Sequence, residues 1–252
     1  MWISQRTLYE ARERQSKTYA WQAFVLSNIF IELAWNAAVA IPCFLIWYYP
    51  AGYFRNAQVT DSVAIRGFHA FLLVVAVFVF ASTFAHFLIA AAPNESIASA
   101  IATLLGIMLY AFCGVLVGPN DMARFWIFMY RADPFTYLVS SFVSAALGQA
   151  EVHCAENEFQ HFSPPQGKSC GEYMQEYITE NGGYLRDAQA TGECNFCKMD
   201  NTNQFLKSVN ANWDTRWRDF GLLWVYIVFN IAATIFLYWV ARVPKAKKAK
   251  KA

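Results

Sequence analysis

The sequence predicts an all-α membrane protein with four transmembrane helices, a re-entrant helix pair and a disulfide-stapled extracellular cap. Three observations predict it. The 252 residues are 57% apolar and only 15% charged, whereas an ordinary soluble domain carries roughly 25% charged residues, so much of the surface faces lipid. Four segments reach the length of about 20 mostly apolar residues that a bilayer requires. Four of the six cysteines fall in one long polar segment between the third and fourth of these.

The four spans cover roughly residues 23–48, 68–91, 97–117 and 220–241. Trp21, Trp47, Tyr48, Tyr49, Trp224, Tyr238 and Trp239 crowd their ends, as amphipathic rings do at the headgroup level. A buried helix of a soluble protein accounts for one such run, but not for four with flanking aromatics. Orientation follows from charge, because Lys and Arg collect on the cytoplasmic side. Arg6, Arg12, Arg14 and Lys17 precede the first span, and Arg242, Lys245, Lys247, Lys248, Lys250 and Lys251 follow the last. An even number of spans returns the chain to its starting side, so both termini are expected in the cytosol. No secretory signal peptide is expected, since the first apolar run starts late and no small-residue cleavage site follows a short one.

The link "APNES" between spans two and three is then a tight cytosolic hairpin at Pro93 and Asn94. Its sequon Asn94-Glu95-Ser96 is expected to stay unmodified. Residues 118–219 are expected outside. Their first part, "DMARFWIFMYRADPFTYLVSSFVSAALG", is too apolar for an open loop and is interrupted by Arg124, Arg131, Asp133 and Pro134. It reads as a broken helix pair dipping into the outer leaflet, where non-helical backbone must be buried in protein or line a cavity. The second part is a small cap punctuated by Pro164, Pro165, Gly167, Gly182 and Gly183, with "CGEYMQEYI" as a helix. The expected organisation is therefore a cytosolic segment at 1–19, three spans within 20–118, re-entrant helices at 119–148, a cysteine-containing cap at 149–217, the last span at 218–241 and a basic cytosolic tail at 242–252.

Cys154, Cys170, Cys194 and Cys197 lie in the cap, and Cys43 and Cys113 in apolar spans as core thiols. An even set outside a cell favours two disulfides, and four cysteines allow three pairings. A Cys194–Cys197 bond would close a tiny loop and constrain little, so each is expected to join an upstream partner. The weaker reading is a zinc site recruiting His153 or His161 near Cys154.

Before the first span, Arg6/Glu10, Glu10/Arg14 and Glu13/Lys17 stand four apart and can pair along a helix face. Within it, Glu32 is costly in a bilayer and is a functional candidate by default. Asn36 lies one turn on. The plainer reading makes Glu32 a packing residue paired with Asn28, Asn36 or a neighbouring helix. His86, near the cytosolic end of span two, is expected to reach for the headgroups. No G-x-x-x-x-G-K-[ST] loop, G-x-S-x-G elbow or H-E-x-x-H helix occurs. No catalytic, cofactor-binding or metal-ligating residue is expected, and nothing points to nucleic acid. The residues alone leave a transport or channel module and a tetraspanin-like adhesion or organiser protein. The latter wants a Cys-Cys-Gly in its outer loop, which is absent.

The stretches "LYEARERQSKTYAW", "FCGVLVGP", "RFWIFMYRADPFTYLVSSF", "PPQGKSCGEYM" and "WRDFGLLWVYIVFNIAATIFLYWVARVPK" resemble fungal pleiotropic drug resistance ABC transporters. The match follows the C-terminal part of the second transmembrane domain, in order, along essentially the whole chain. The resemblance implies the membrane-domain portion of an ATP-driven exporter of apolar drugs or lipid-like molecules, working by alternating access. It implies a fragment of a longer plasma-membrane protein. In such a protein the nucleotide-binding domains, which bind ATP and Mg, and the remaining spans belong to the same polypeptide. Membrane lipid and a hydrophobic small molecule are the other implied partners. The isolated chain would have no ATPase activity.

The same resemblance assigns residues. Positions 8–19 are similar to the coupling helix, with Glu10, Arg12, Glu13 and Arg14 as contact charges. The family has Pro-Ser where this chain has Gln15-Ser16, and Glu-Ile-Pro-Trp-Asn where it has "ELAWN". Ala34 thus replaces a helix-bending proline. Span three is similar to the helix lining the drug cavity, with Val115 and Leu116 as the apolar plug. Helical spacing adds Leu105, Met108 and Phe112 as cavity-facing candidates. The cap cysteines are implied to be nested, Cys154–Cys197 outside Cys170–Cys194.

Overall fold

The computed structural model describes residues 2–244. Residues 245–252, most of the expected basic tail, lie outside the described residues. The chain opens with a short helix, α1 (Trp2–Leu8), which widens into a π turn at Tyr9–Glu13. The first long apolar run forms α2 (Trp21–Tyr48). This helix runs uninterrupted past Ala34 and contains Pro42 in its interior. A short helix that periodicity did not reveal, α3 (Tyr53–Val59), leads into α4 (Val63–Ala91). After the hairpin comes α5 (Glu95–Phe112), whose start is capped by Asn94 accepting from the Ile97 N–H. Then follow α6 (Ile127–Ala132) and α7 (Pro134–Leu147). The last span is α10 (Arg216–Arg242).

Four of these helices, α2, α4, α5 and the segment Trp213–Arg242, are long and apolar enough to cross a membrane. The centre of the bundle is α4. Its buried residues, Arg66, His69, Ala70, Leu73, Ala76, Val79, Phe80, Thr83, His86 and Ala90, recur at intervals of three and four. That spacing makes one stripe along a helix. The buried residues of α10, from Asp219 through Leu223, Ile227, Asn230 and Thr234 to Tyr238, make another. The two stripes meet in a cluster of Ala76, Val79, Phe80, Leu223 and Ile227. A second cluster at the other end joins Trp2, Tyr9, Phe24, Val25, Ile29, Ala90 and Tyr238. By contrast, α5 buries only Ala98 and keeps an open stripe of Ile97, Ile101, Leu104 and Ile107.

Several expected boundaries move. The third span ends at Phe112 rather than at residue 117. Gly114 takes a positive φ of 87°, a conformation that glycine adopts readily. A Cβ there would lie 2.7 Å from the Tyr130 ring. The chain therefore turns away before Val115 and Leu116. The second span starts at Val63, so Arg66 lies inside the helix.

The cap expectation of an all-α fold also gives way. Residues 149–212 carry helices α8 (Cys170–Asn181) and α9 (Thr202–Ser208). They also form an antiparallel sheet of β1 (Gln160–Phe162), β2 (Tyr184–Leu185) and β3 (Cys194–Cys197), ordered β1-β3-β2. The strands are two to four residues long, too short to show alternation, and their pairing is made by non-local neighbours. Cys154 is bonded to Cys197 and Cys170 to Cys194, with Cα separations of 6.1 and 5.6 Å. All four sulfurs are thus in cystines, which leaves no cap thiolate for zinc. His153 and His161 stand instead beside Glu151 and Glu193, at 3.8 and 3.3 Å.

The break between α6 and α7 has a local cause. Pro134 cannot continue a helix from α6, and Asp133 caps α7 by accepting the Phe135 N–H at 2.8 Å. Its second carboxylate oxygen is buried with no hydrogen-bond partner among the described residues. Burial pushes the Asp133 carboxyl up to about 6, and the Phe135 N–H bond partly opposes this. The folded chain holds this proton more tightly than the unfolded chain, whose carboxyl titrates near 3.8. The stability from Asp133 is therefore full below about pH 3.8 and lost as pH rises through about 6. Asn keeps the cap acceptor. Asp133→Asn is expected to raise stability by roughly 1–3 kcal/mol above about pH 7, since one pKa unit is worth about 1.4 kcal/mol, and to be neutral near about pH 4. Melting temperatures of the detergent-solubilised chain across that range check this, and parallel profiles for the two proteins would contradict it.

Candidate functional site

Three regions hold the functional candidates. At the end bearing the N-terminal segment, the expected charge pairs do not form. Among the described residues none of Arg6/Glu10, Glu10/Arg14 and Glu13/Lys17 is an ion pair. The π turn shifts the register that a 3.6-residue helix would give, and Lys17 takes a positive φ of 55°. Arg6 turns inward and is 2% exposed. It donates to the Ile89 carbonyl at 2.7 Å and to the Ala92 carbonyl at 3.0 Å. Burial, and then the charge of Arg242, hold its pKa below the ordinary value. Arg242 donates to the same Ala92 carbonyl. Two guanidiniums thus cap the C-terminal end of α4, where helix carbonyls lack partners and the dipole favours cations.

Of the four candidate coupling charges, three engage their own chain. Glu10 accepts from the Tyr238 hydroxyl at 3.4 Å, Glu13 accepts from the Tyr19 hydroxyl, and Arg14 donates to the Arg242 carbonyl at 2.7 Å. The Glu13 bond is the main cause that pushes the Tyr19 phenol up to about 12. Arg12 is exposed. Aromatic packing completes the junction. Tyr9 stacks on Phe24 at 4.6 Å, and Trp2 lies 5.7 Å from His86 and 6.3 Å from Tyr238.

Inside the bundle, Glu32 finds partners on α4 rather than in Asn28 or Asn36. Ser82 donates to its carboxylate at 2.7 Å, and His86 lies 3.3 Å from the same oxygen. Asn28 donates instead to the Phe24 carbonyl, and Asn36 is half-buried. The expectation that His86 reaches the headgroups fails, because the ring is buried between Glu32 and Trp2. A charge inside an apolar run singled out Glu32 but carried no signal for its non-local partner.

At the opposite end, the turn after α5 opens on a cavity of about 370 Å³ lined in part by Cys113, Val115, Tyr130, Thr136, Val139 and Phe205. Val115 reaches it, whereas Leu116 is 72% exposed and outside the lining. Leu105, Met108 and Phe112 are half-buried along α5 and do not line it. Phe112 packs against Trp126 with ring centroids 5.3 Å apart. Sequence reasoning missed the junction beside this region. Arg66 donates to the Ser62 hydroxyl, the Ala145 carbonyl and the Gly148 carbonyl, and lies 4.2 Å over the Trp213 ring. Arg216 lies 3.7 Å over the same ring. An arginine in an otherwise apolar run was the available signal.

A family model described as ABC-2 type transporter matches residues 1–147. The chain is 58% identical over 248 residues to ABC multidrug transporter F of Aspergillus fumigatus, with 98% of the chain covered. It is 50% identical over 246 residues to the ABC-type transporter oblD of Aspergillus clavatus and 47% identical over 248 residues to ABC multidrug transporter atrG of Aspergillus oryzae, again over 98% of the chain. The chain spans 17% of the length of each of these relatives. These matches do not favour the tetraspanin-like reading. With four helices able to span a bilayer and a family match over its first 147 residues, the chain belongs to the ABC-2 type transporter family as a membrane-domain portion of the kind found in fungal ABC multidrug transporters.

Proposed function

We propose that this chain forms part of the translocation path of an ATP-driven exporter of apolar drugs or lipid-like molecules. Nucleotide-binding domains in the same polypeptide would bind ATP and Mg and press on residues 8–19. Both termini would be cytosolic, the host membrane would be the plasma membrane, and the cystine-bearing lobe would cap the outer side. The observation that carries the reading is the double-arginine grip on Ala92. It ties the N-terminal segment to the ends of both α4 and α10, so a push on the segment is delivered to two spans together. Arg12, exposed, is left free to meet a partner. Alternating access would then move an apolar substrate along α5 and past Val115 and Leu116. Apolar walls suit chemically varied substrates, because hydrophobic contact is non-directional.

The test uses a full-length polypeptide containing this chain, produced in a yeast lacking its own drug exporters. Arg6→Ala is expected to keep ATP hydrolysis but lower substrate-stimulated hydrolysis and drug efflux roughly tenfold, within the usual range of a coupling free energy. Purified alone, the chain is expected to leave ATP untouched. Unchanged efflux in the variant, with normal amounts at the membrane, would refute the grip as the coupling element. Absence of any efflux by the parent polypeptide across apolar dyes would refute the exporter reading.

A further inference from the structure

The turn after the π segment and the C-terminal end of α10 border an open pocket of about 560 Å³, lined in part by Tyr9, Arg14, Lys17, Tyr19, Trp21 and Val243. Its lining carries two cations, Arg14 and Lys17, and no carboxylate. The two nearby carboxylates, Glu13 and Glu10, accept from the Tyr19 and Tyr238 hydroxyls rather than from either cation. Arg14 uses one guanidinium nitrogen on the Arg242 carbonyl. Among the described residues neither Arg14 nor Lys17 has a carboxylate ion-pair partner. The pocket also has a defined depth. Trp21 opens α2, and Val243 directly follows α10, so both walls stand where apolar spans end and headgroups begin. In sequence, Lys245, Lys247, Lys248, Lys250 and Lys251 follow at once with no acid among them. Such a run beside a span is the composition that anionic membrane surfaces attract.

We propose that this pocket binds the phosphate of an anionic phospholipid headgroup, with Arg14 and Lys17 supplying the charge. The phosphate group is the shared chemistry of a lipid and of free phosphate, and the walls favour the lipid. Ala20, Trp21, Val243 and Pro244 offer apolar surface that a glycerol backbone and the first acyl carbons would cover and that inorganic phosphate would leave wet. The tail lysines add long-range attraction to an anionic leaflet, while the two pocket cations fix the headgroup.

The test places the full chain in phosphatidylcholine nanodiscs and titrates it with dioctanoyl phosphatidylinositol 4-phosphate, following bound lipid by native mass spectrometry. Dioctanoyl phosphatidylcholine and inorganic phosphate are the comparison ligands. One saturable anionic-lipid site is expected, with neither comparison ligand competing at equal concentration. Each basic side chain at an anionic surface is worth roughly a fivefold change in affinity. Arg14→Gln with Lys17→Gln should therefore raise the Kd roughly 25-fold. Arg14→Lys, which keeps the charge, should change it far less. Replacing the five tail lysines by glutamine should weaken binding while leaving the site saturable. The proposal is overturned if the Arg14/Lys17 double variant, melting like the parent, binds as tightly as the parent. It is overturned equally if the tail variant alone abolishes binding, or if inorganic phosphate binds as tightly as the lipid.

Discussion

Arg66→Ala is expected to lower the stability of the folded chain by about 3–5 kcal/mol and to deplete it from the membrane. The side chain is 3% exposed, and its guanidinium is shared among four partners. One nitrogen holds the Ser62 hydroxyl at 2.6 Å, and the other two hold the carbonyls of Ala145 and Gly148 at 3.2 and 2.6 Å. Its face rests on Trp213. The two carbonyls lie at the end of α7, where a helix has no internal donors left. Hydrogen bonds to a charged group contribute roughly 1.5–3 kcal/mol each, and a buried acceptor left unpaired costs about 1–3 kcal/mol. Alanine loses the bonds, strands the carbonyls and opens a space beside Trp213 together. Lysine keeps the charge but cannot fork across two carbonyls while lying flat on a ring, so Arg66→Lys should recover less than half of the loss. The nearby contact of His69 Nε2 with Ser141 at 2.9 Å, with Ser141 donating to the Arg216 carbonyl, belongs to the same seam. Thermal unfolding of the detergent-solubilised chain measures the effect. An Arg66→Ala melting point within a degree of the parent would show that the seam is held by apolar packing alone.

What the sequence made legible, and what it hid, divides along a physical line. The spans were readable because a bilayer imposes one simple requirement, the length of an apolar run. Their ends were less readable. The expected start of span two at Phe68 leaves out Arg66, which is satisfied inside the helix by the Ser62 hydroxyl and by carbonyls that no local pattern encodes. "CGVLV" looks as apolar as the span before it, and only the positive φ at Gly114, pressed against Tyr130, shows where α5 stops. The three charge pairs before the first span assumed regular helical spacing, which the π turn breaks. Glu32 was visible as an expense in the bilayer, but Ser82, fifty residues on, was not visible as its donor. The cap strands were hidden because pairing between β1 and β3 joins residues that no short-range periodicity relates.

Breaking the Cys154–Cys197 bridge is expected to melt the lobe at residues 149–212 while the bundle stays folded. The lobe has little else to hold it. Its fully or nearly fully buried side chains include Cys170, Cys194, Phe196, Cys197 and Leu206, so the cystines are themselves much of its core. Helix α8 buries only Cys170, and isolated helices of about 12 residues are marginal in water. The bridge closes a loop of sequence separation 43, and Cys170–Cys194 closes one of 24. Loop-closure entropy then assigns about 4 kcal/mol to the first and about 3.5 kcal/mol to the second. The first is therefore the larger loss, and it also frees β3 from the segment leading out of α7. The bundle is held separately, by the contact of α4 with α10 and the aromatic cluster at its far end. A Cys154→Ser/Cys197→Ser variant should accordingly show two unfolding transitions, the lobe melting well below the spans, with trypsin cutting first at Lys168, Arg186 or Lys198. The Cys170→Ser/Cys194→Ser variant should behave alike with a slightly smaller shift. A single cooperative melt with unchanged trypsin resistance would mean that the lobe draws its stability from the bundle and that the bridges are secondary.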